Sequence, residues 1–274
     1  MKIAVIQIQT CAKAAENLER ALAAIEEAAS HGAQVVVFPE ALSQSFDSGR
    51  LDTQAEPLDG PFAQSLREAA ERAGVLVVGG MFCPADTVGS INRVYNTALV
   101  TGRGVHTGYR KIHTYDAFSY RESDTVKPGE ELLTVDVDGM RLGFAICFDI
   151  RFPEQFRALA RAGAQIICVP TSWADGPGKL EQWRLLTAAR ALDSTSFVVA
   201  AGQARPGGEA KAGEDSGPTG IGHSCVVGPT GIRLHEAGYG EEILYAEIDV
   251  AEVAAAREAI PVLDGPREFT TRNS

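Results

Sequence analysis

The chain has 274 residues, 45% of them apolar, and its 25 basic and 36 acidic residues leave a net charge of −11. That much apolar sequence can bury a large core, and α/β chains of this length often fold as one domain, so residues 1–274 are read as a single domain. The sequence has no basic stripe that would bind nucleic acid, no apolar run near the roughly 20 residues that span a bilayer, and no leader-type cleavage pattern.

Taken in order, the first strand is read over residues 1–8, and a helix over 17–31 with Leu18, Leu22, Ile25 and Ala29 on one face. A short, wholly apolar strand at 33–38 fits a position covered on both faces. A second helix over 61–73 leads to a strand at 75–78, and hairpin strands are expected at 95–100 and 105–109 around Gly102-Arg103-Gly104. Strands at 132–137 and 141–147 flank Asp138-Gly139, a strong two-residue turn. Helix, strand, helix and strand follow at 153–162, 165–169, 180–193 and 197–201, then late strands at 224–227, 232–235 and 243–248. The stretch 205–222 is rich in glycine, proline and charge and reads as a mobile loop.

Gly32-Ala33-Gln34-Val35-Val36-Val37-Phe38-Pro39-Glu40 resembles Gly163-Ala164-Gln165-Ile166-Ile167-Cys168-Val169-Pro170-Thr171. Any helix–Gly–strand step produces part of this likeness. A pseudo-twofold layout would produce all of it, and would set Glu40 and Thr171 on either side of one cleft.

Four side chains could carry chemistry. Cys147 ends an apolar strand just before Pro153, where a helix can start, and a helix N-terminus stabilises a thiolate. Glu40 follows an apolar strand, where partial desolvation raises a carboxyl pKa toward the range of proton transfer. Lys111 ends a hairpin strand, from which it could offer fixed positive charge to a developing oxyanion. Glu122 lies in the polar stretch Tyr120-Arg121-Glu122-Ser123-Asp124. Cys11, Cys83, Cys168 and Cys225 are widely spaced, and five cysteines is an odd number with no Cys-x-x-Cys pair. That argues against a disulfide framework and a structural zinc, and for a reducing, cytoplasmic location.

Phe38-Pro39-Glu40, Tyr109-Arg110-Lys111 and Cys147-Phe148-Asp149 with Arg151-Phe152-Pro153-Glu154 occur in that order. Together they resemble the nitrilase superfamily of carbon–nitrogen hydrolases over essentially the whole chain, closest to its Nit branch of omega-amidases and deaminated-glutathione amidases. The resemblance implies a four-layer α-β-β-α sandwich, a homodimer or higher homo-oligomer, a small-molecule amide substrate, and no metal or organic cofactor. It also implies roles: Glu40 as general base, Cys147 as nucleophile, Lys111 and the Phe148 N–H as oxyanion donors, and Glu122 as the residue orienting Lys111. Thr171 and Trp173 are expected to contact substrate, Arg151 and Glu154 to form a structural ion pair, and the tail 260–274 to pack on a partner subunit. The chain departs from the branch at Trp173 and at Glu181-Gln182-Trp183-Arg184, two positions expected to line or abut the pocket. The acyl-group determinants are placed in loops 43–50, 115–122 and 173–179.

The leading expectation is an amidase releasing ammonia from a small carboxamide, such as a dicarboxylate monoamide. A nitrilase or N-carbamoyl amino acid hydrolase of the same superfamily is the alternative. A Cys-His-Asp hydrolase using Cys147 with His113 or His223 leaves Glu40 and Lys111 unexplained, and a silent scaffold leaves the whole set unexplained.

Overall fold

The computed structural model describes residues 1–117 and 120–265. Its first sheet holds β1 (Lys2–Gln7), β2 (Val35–Val37), β3 (Leu76–Val88), β4 (Ile91–Gly102), β5 (Val105–Arg110) and, arriving last along the chain, β14 (Glu242–Glu247). The strand order is β14-β1-β2-β3-β4-β5. β1, β2 and β3 run parallel, while β14, β4 and β5 pair antiparallel. The short strands β6 (Asp116–Ala117) and β7 (Tyr120–Arg121) form a separate ribbon.

The second sheet holds β8 (Thr134–Val137), β9 (Met140–Phe144), β10 (Ile166–Thr171), β11 (Phe197–Gly202), β12 (Cys225–Val227) and β13 (Arg233–Glu236). Its order is β8-β9-β10-β11-β12-β13, again with three parallel strands and three antiparallel ones in the same places. The two sheets therefore repeat one plan, with β2 and β10 at equivalent positions. The repeated Gly-Ala-Gln sequence marks a real pseudo-twofold relation.

The layers follow from side-chain alternation. Val35 and Val37 of β2 enter the core between the sheets with Leu142, Phe144 and Ile166, whereas Val36 turns outward among Ile25, Phe62 and Leu66. Those last residues come from α1 (Ala14–Ser30) and α2 (Pro61–Ala73), which cover the first sheet. On the second sheet, α3 (Pro153–Arg161) and α4 (Lys179–Ser194) contribute Phe156, Leu159, Trp183 and Ala191 to the inter-sheet cluster's continuation. The result is the expected α-β-β-α sandwich. Burying each large apolar side chain is worth about 1.5–3 kcal/mol.

Three elements differ from the sequence reading. β3 and β4 form a much longer hairpin, because Gly79-Gly80 and Pro84 interrupt a pattern that the backbone pairing carries through. The helix α5 (Ala251–Ala259) was not expected, since only Val253 and Ala256 of it are buried, too few for a visible apolar stripe. Residues 260–265 lie against their own α3, where Arg157 and Arg161 donate to the carbonyls of Val262 and Leu263. Residues 266–274 of the expected tail lie outside the described residues.

Candidate active site

Glu40 stands two residues beyond Phe38, where the buried β2 gives out, and Ala41 follows it with φ 57°. The close passage of β3 behind this turn requires Gly80. A Cβ there would lie 2.4 Å from the Ala41 nitrogen and 2.6 Å from Glu40 Cα. Lys111 leaves the end of β5, its N–H bound to the Asn96 carbonyl of β4 at 2.8 Å. Glu122 opens a 3-10 turn after β7.

These strand ends converge. Lys111 Nζ donates to Glu40 Oε1 at 3.2 Å and to the two carboxylate oxygens of Glu122 at 3.1 and 2.8 Å. Asn96 Nδ2 lies 2.7 Å from Glu40 Oε1 and 3.2 Å from Glu122 Oε1. The Ser172 N–H donates to Glu40 Oε2 at 2.8 Å, and the Tyr115 N–H donates to Glu122 Oε2 at 2.5 Å. Glu40, Lys111 and Glu122 are only 1, 2 and 1% exposed. Charges so deeply buried each cost several kcal/mol unless compensated, and this network compensates them.

Cys147 begins a 3-10 turn, Cys147–Arg151, and holds φ 44°, a left-handed conformation that L side chains rarely adopt. The turn is held by Asp149, whose carboxylate accepts from the Ile146 N–H at 2.8 Å and from Tyr109 Oη at 2.7 Å. The same carboxylate accepts from the His113 N–H and lies 2.9 Å from His113 Nδ1. Asp149 thereby fastens the cysteine turn to the strand end that carries Lys111. The N–H of Phe148, in the first turn of this short helix, has no intrahelical acceptor.

Burial pushes Glu40 above the ordinary carboxyl range, Glu122 adds to the rise, and Lys111 opposes it. Burial alone would lower the Lys111 pKa, but Glu122 and Glu40 outweigh it and hold the ammonium well above its usual range. Burial, then the Glu40 charge, pushes the Cys147 thiol well up. This reverses the expected helix-stabilised thiolate. A turn of five residues offers little dipole, and burial dominates, with the adjacent carboxylate adding to it. Glu40 and Cys147 line the same cleft, which places the carboxylate beside the thiol where a base is needed at the moment of attack.

The cleft over these groups is narrow, about 30 Å³, and Phe46, Tyr115, Arg151, Trp173, Lys179 and Pro218 are among its walls. A sequence profile of the family described as carbon-nitrogen hydrolase matches residues 2–258. The chain belongs to the carbon-nitrogen hydrolase family. A Mycobacterium tuberculosis protein named as a hydrolase is 48% identical over 98% of this chain and 96% of its own length. The human omega-amidase NIT2 is 33% identical over 95% of this chain and 93% of its own. The crystal structure of Saccharomyces cerevisiae Nit3, from branch 10 of the nitrilase superfamily, superposes with a TM-score of 0.82 at 30% identity, covering 98% and 97% of the two chains.

In this carbon-nitrogen hydrolase, Glu40, Lys111, Cys147 and Glu122 come together as the motif order implies. Trp173 lines the cleft, with the Arg151 guanidinium 5.0 Å from its ring centre. Thr171 does not reach it. Fully buried in β10, its hydroxyl donates to its own strand at Val169, and its neighbour Ser172 takes the place opposite Glu40. Trp183 does not line the cleft either, being fully buried and donating to the His223 carbonyl at 2.8 Å. Arg151 forms no ion pair with Glu154. It binds Gln182 Oε1 at 2.9 Å and forms part of the cleft wall. His113 pairs with Asp149 and His223 with Glu236, and neither lines the cleft with Cys147.

Sequence reasoning missed Asn96 and Ser172, and it gave Arg151 a structural ion pair in place of the cleft wall. An amide inside the apolar run Tyr95-Asn96-Thr97-Ala98-Leu99-Val100 was the available signal for the first. Each of the three loops expected to set the acyl group does supply cleft residues, namely Phe46, Tyr115 with Glu122, and Trp173 with Lys179. Among the described residues no cluster of His, Cys, Asp or Glu could hold a metal ion, and no helix is long and apolar enough to cross a membrane.

Proposed function

We propose that this hydrolase is an amidase that converts a small carboxamide to a carboxylate and ammonia through a thioester on Cys147. The observation that carries this reading is the convergence of Glu40, Lys111 and Cys147 in one buried cleft, with Lys111 held between two carboxylates. Glu40 accepts the Cys147 proton as sulfur attacks the amide carbon. The oxyanion that forms is met by the Lys111 ammonium and the Phe148 N–H. Collapse expels ammonia, which leaves with the proton Glu40 had taken. Water then replaces ammonia, Glu40 removes its proton, and the second tetrahedral adduct releases the acid and returns the thiol. Glu122 and Asn96 touch no reacting atom in this scheme and act by positioning Lys111 and Glu40.

The cleft wall favours an acyl group with a carboxylate of its own. Arg151 and Lys179 put two cations there, and Arg151 Nε is buried with no hydrogen-bond partner among the described residues. A ligand carboxylate or a water would complete such a donor. The relatives named omega-amidase agree with a dicarboxylate monoamide as substrate class.

The test is ammonia release from monoamides of short dicarboxylic acids, set beside aliphatic nitriles and N-carbamoyl amino acids. Turnover of the monoamides is expected. Turnover confined to nitriles, or carbon dioxide released with ammonia from carbamoyl compounds alone, would overturn the amidase reading.

A further inference from the structure

The segment between β11 and β12 has the composition of a mobile loop but is not held like one. Arg205, at its start, is buried and directs Nε to Asp175 Oδ2 at 2.9 Å, and Nη2 to the carbonyls of Lys211 and Glu214 at 3.0 Å each. Asp175 is also buried, and it accepts from the Gly213 N–H at 3.0 Å and the Gly176 N–H at 2.8 Å. The backbone of Asp175 bonds Ser216 in both directions, its N–H to Ser216 Oγ at 3.0 Å and its carbonyl to the Ser216 N–H at 3.2 Å. One guanidinium and one carboxylate, each using most of its hydrogen-bonding capacity, thus close a largely exposed segment that has no apolar core of its own.

What this closure reaches is the cleft. Asp175 ends the stretch Ser172-Trp173-Ala174-Asp175, whose first three residues are cleft walls. Pro218, from the far end of the segment, is another, and its carbonyl accepts from Ser172 Oγ at 2.5 Å. The Ser172 N–H is meanwhile committed to Glu40. Movement of the segment would be felt at Pro218, Ser172 and Trp173 together.

We infer that the buried Arg205–Asp175 pair is a clasp that fixes residues 206–219, holding Pro218 as a standing wall of the cleft, and so selects which acyl groups reach Cys147. Arg205 and Asp175 are positioning residues, since they act through Pro218, Ser172 and Trp173. The inference rests on the proposed amidase reading for its substrate arm only.

The experiment compares wild type with Asp175→Asn, Arg205→Lys and the exposed control Glu209→Ala. Cys147 labelling is followed by peptide mass with iodoacetamide and with the bulkier N-phenylmaleimide. In wild type and in Glu209→Ala the bulky reagent should be excluded relative to the small one. Each clasp variant is expected to raise the bulky-to-small rate ratio by about tenfold or more, the scale of discrimination by a shaped pocket. With succinic and suberic monoamides, the clasp variants should lose preference for the shorter substrate through KM, with kcat on it nearly unchanged. Unchanged labelling and KM ratios in folded variants would overturn the clasp.

Hydrogen exchange of the wild-type protein needs no variant. The Gly213 and Ser216 amides should exchange slowly within an otherwise exposed stretch, and fast exchange at both would overturn the inference even if the variants fail to fold. If no amide is hydrolysed at all, the labelling and exchange results still decide the clasp, and the amidase reading falls alone.

Discussion

The floor and the mouth of the cleft are built by opposite means. The floor joins Glu40, Lys111, Glu122 and Asn96 through short bonds among side chains that are almost completely buried, the first three set by strand ends or the turns next to them and Asn96 by the middle of β4. The mouth is assembled from connections between the elements: Phe46, Tyr115 and Pro218 come from three different ones, and Trp173 with Lys179 from a fourth, where the Trp173 indole N–H donates to the Lys179 carbonyl at 3.2 Å. A floor of this kind fixes one reaction, because no member can shift without stranding a buried charge. A mouth of this kind can vary its acyl preference without disturbing that reaction.

Loss of the nucleophile or base at the floor should therefore cost most of the turnover, and substitutions at the mouth should redirect it. The largest effect is expected for Cys147→Ala, a loss of at least about a thousandfold in kcat, because removing a nucleophile ends covalent catalysis. Glu40→Gln should cost about 10²–10⁴ in kcat, the usual contribution of a positioned base, with iodoacetamide labelling of Cys147 slowed in parallel. Ammonia-release kinetics check both.

A pH profile sharpens the contrast further. Glu40 must be ionised to act as base, and burial raises its folded pKa above the ordinary 4.5. Since kcat/KM should rise as Glu40 loses its proton, the acid limb should fall at higher pH than an ordinary glutamate would give. Glu122→Gln removes a like charge that contributes to the rise, so the limb should move toward lower pH. Lys111 keeps its proton well above 10.5 and should impose no falling limb near neutrality. A limb that stays in place in Glu122→Gln would separate it from Glu40 titration.

Smaller effects are expected elsewhere. At the mouth, Arg151→Gln should raise KM for a dicarboxylate monoamide about tenfold or more while leaving a neutral amide of equal length nearly unaffected, because a charge-assisted hydrogen bond is worth about 1.5–3 kcal/mol. Equal losses on both amides would remove Arg151 from carboxylate recognition. Beneath the floor, Gly80→Ala should destabilise by about 1–3 kcal/mol in thermal or denaturant unfolding, because the added methyl meets backbone that cannot give way.

The same division explains what could be read before the structure. The alternation of helix and strand gave an α/β fold, the family resemblance implied its four layers, and Glu40, Lys111 and Cys147 stand at strand ends that local pattern marks. Asn96 was hidden because its partners are 56 and 26 residues away, and only the β3–β4 hairpin brings them together. Thr171 was misplaced by one residue, and in a strand one residue moves a side chain to the opposite face. The upward push on the Cys147 thiol could not be read locally, because burial and the neighbouring Glu40 are tertiary facts. The clasp was invisible because glycine, proline and charge describe the 205–222 segment, whereas its anchoring depends on Asp175, 30 residues from Arg205.

The central claim is that Cys147 carries the acyl group. Wild-type enzyme mixed with succinic monoamide, quenched in acid and digested, should give a Cys147 peptide heavier by the acyl group, with no such adduct on the other cysteines or in Cys147→Ala. Ammonia released by Cys147→Ala at the wild-type rate, with no adduct on the wild-type peptide, would contradict it.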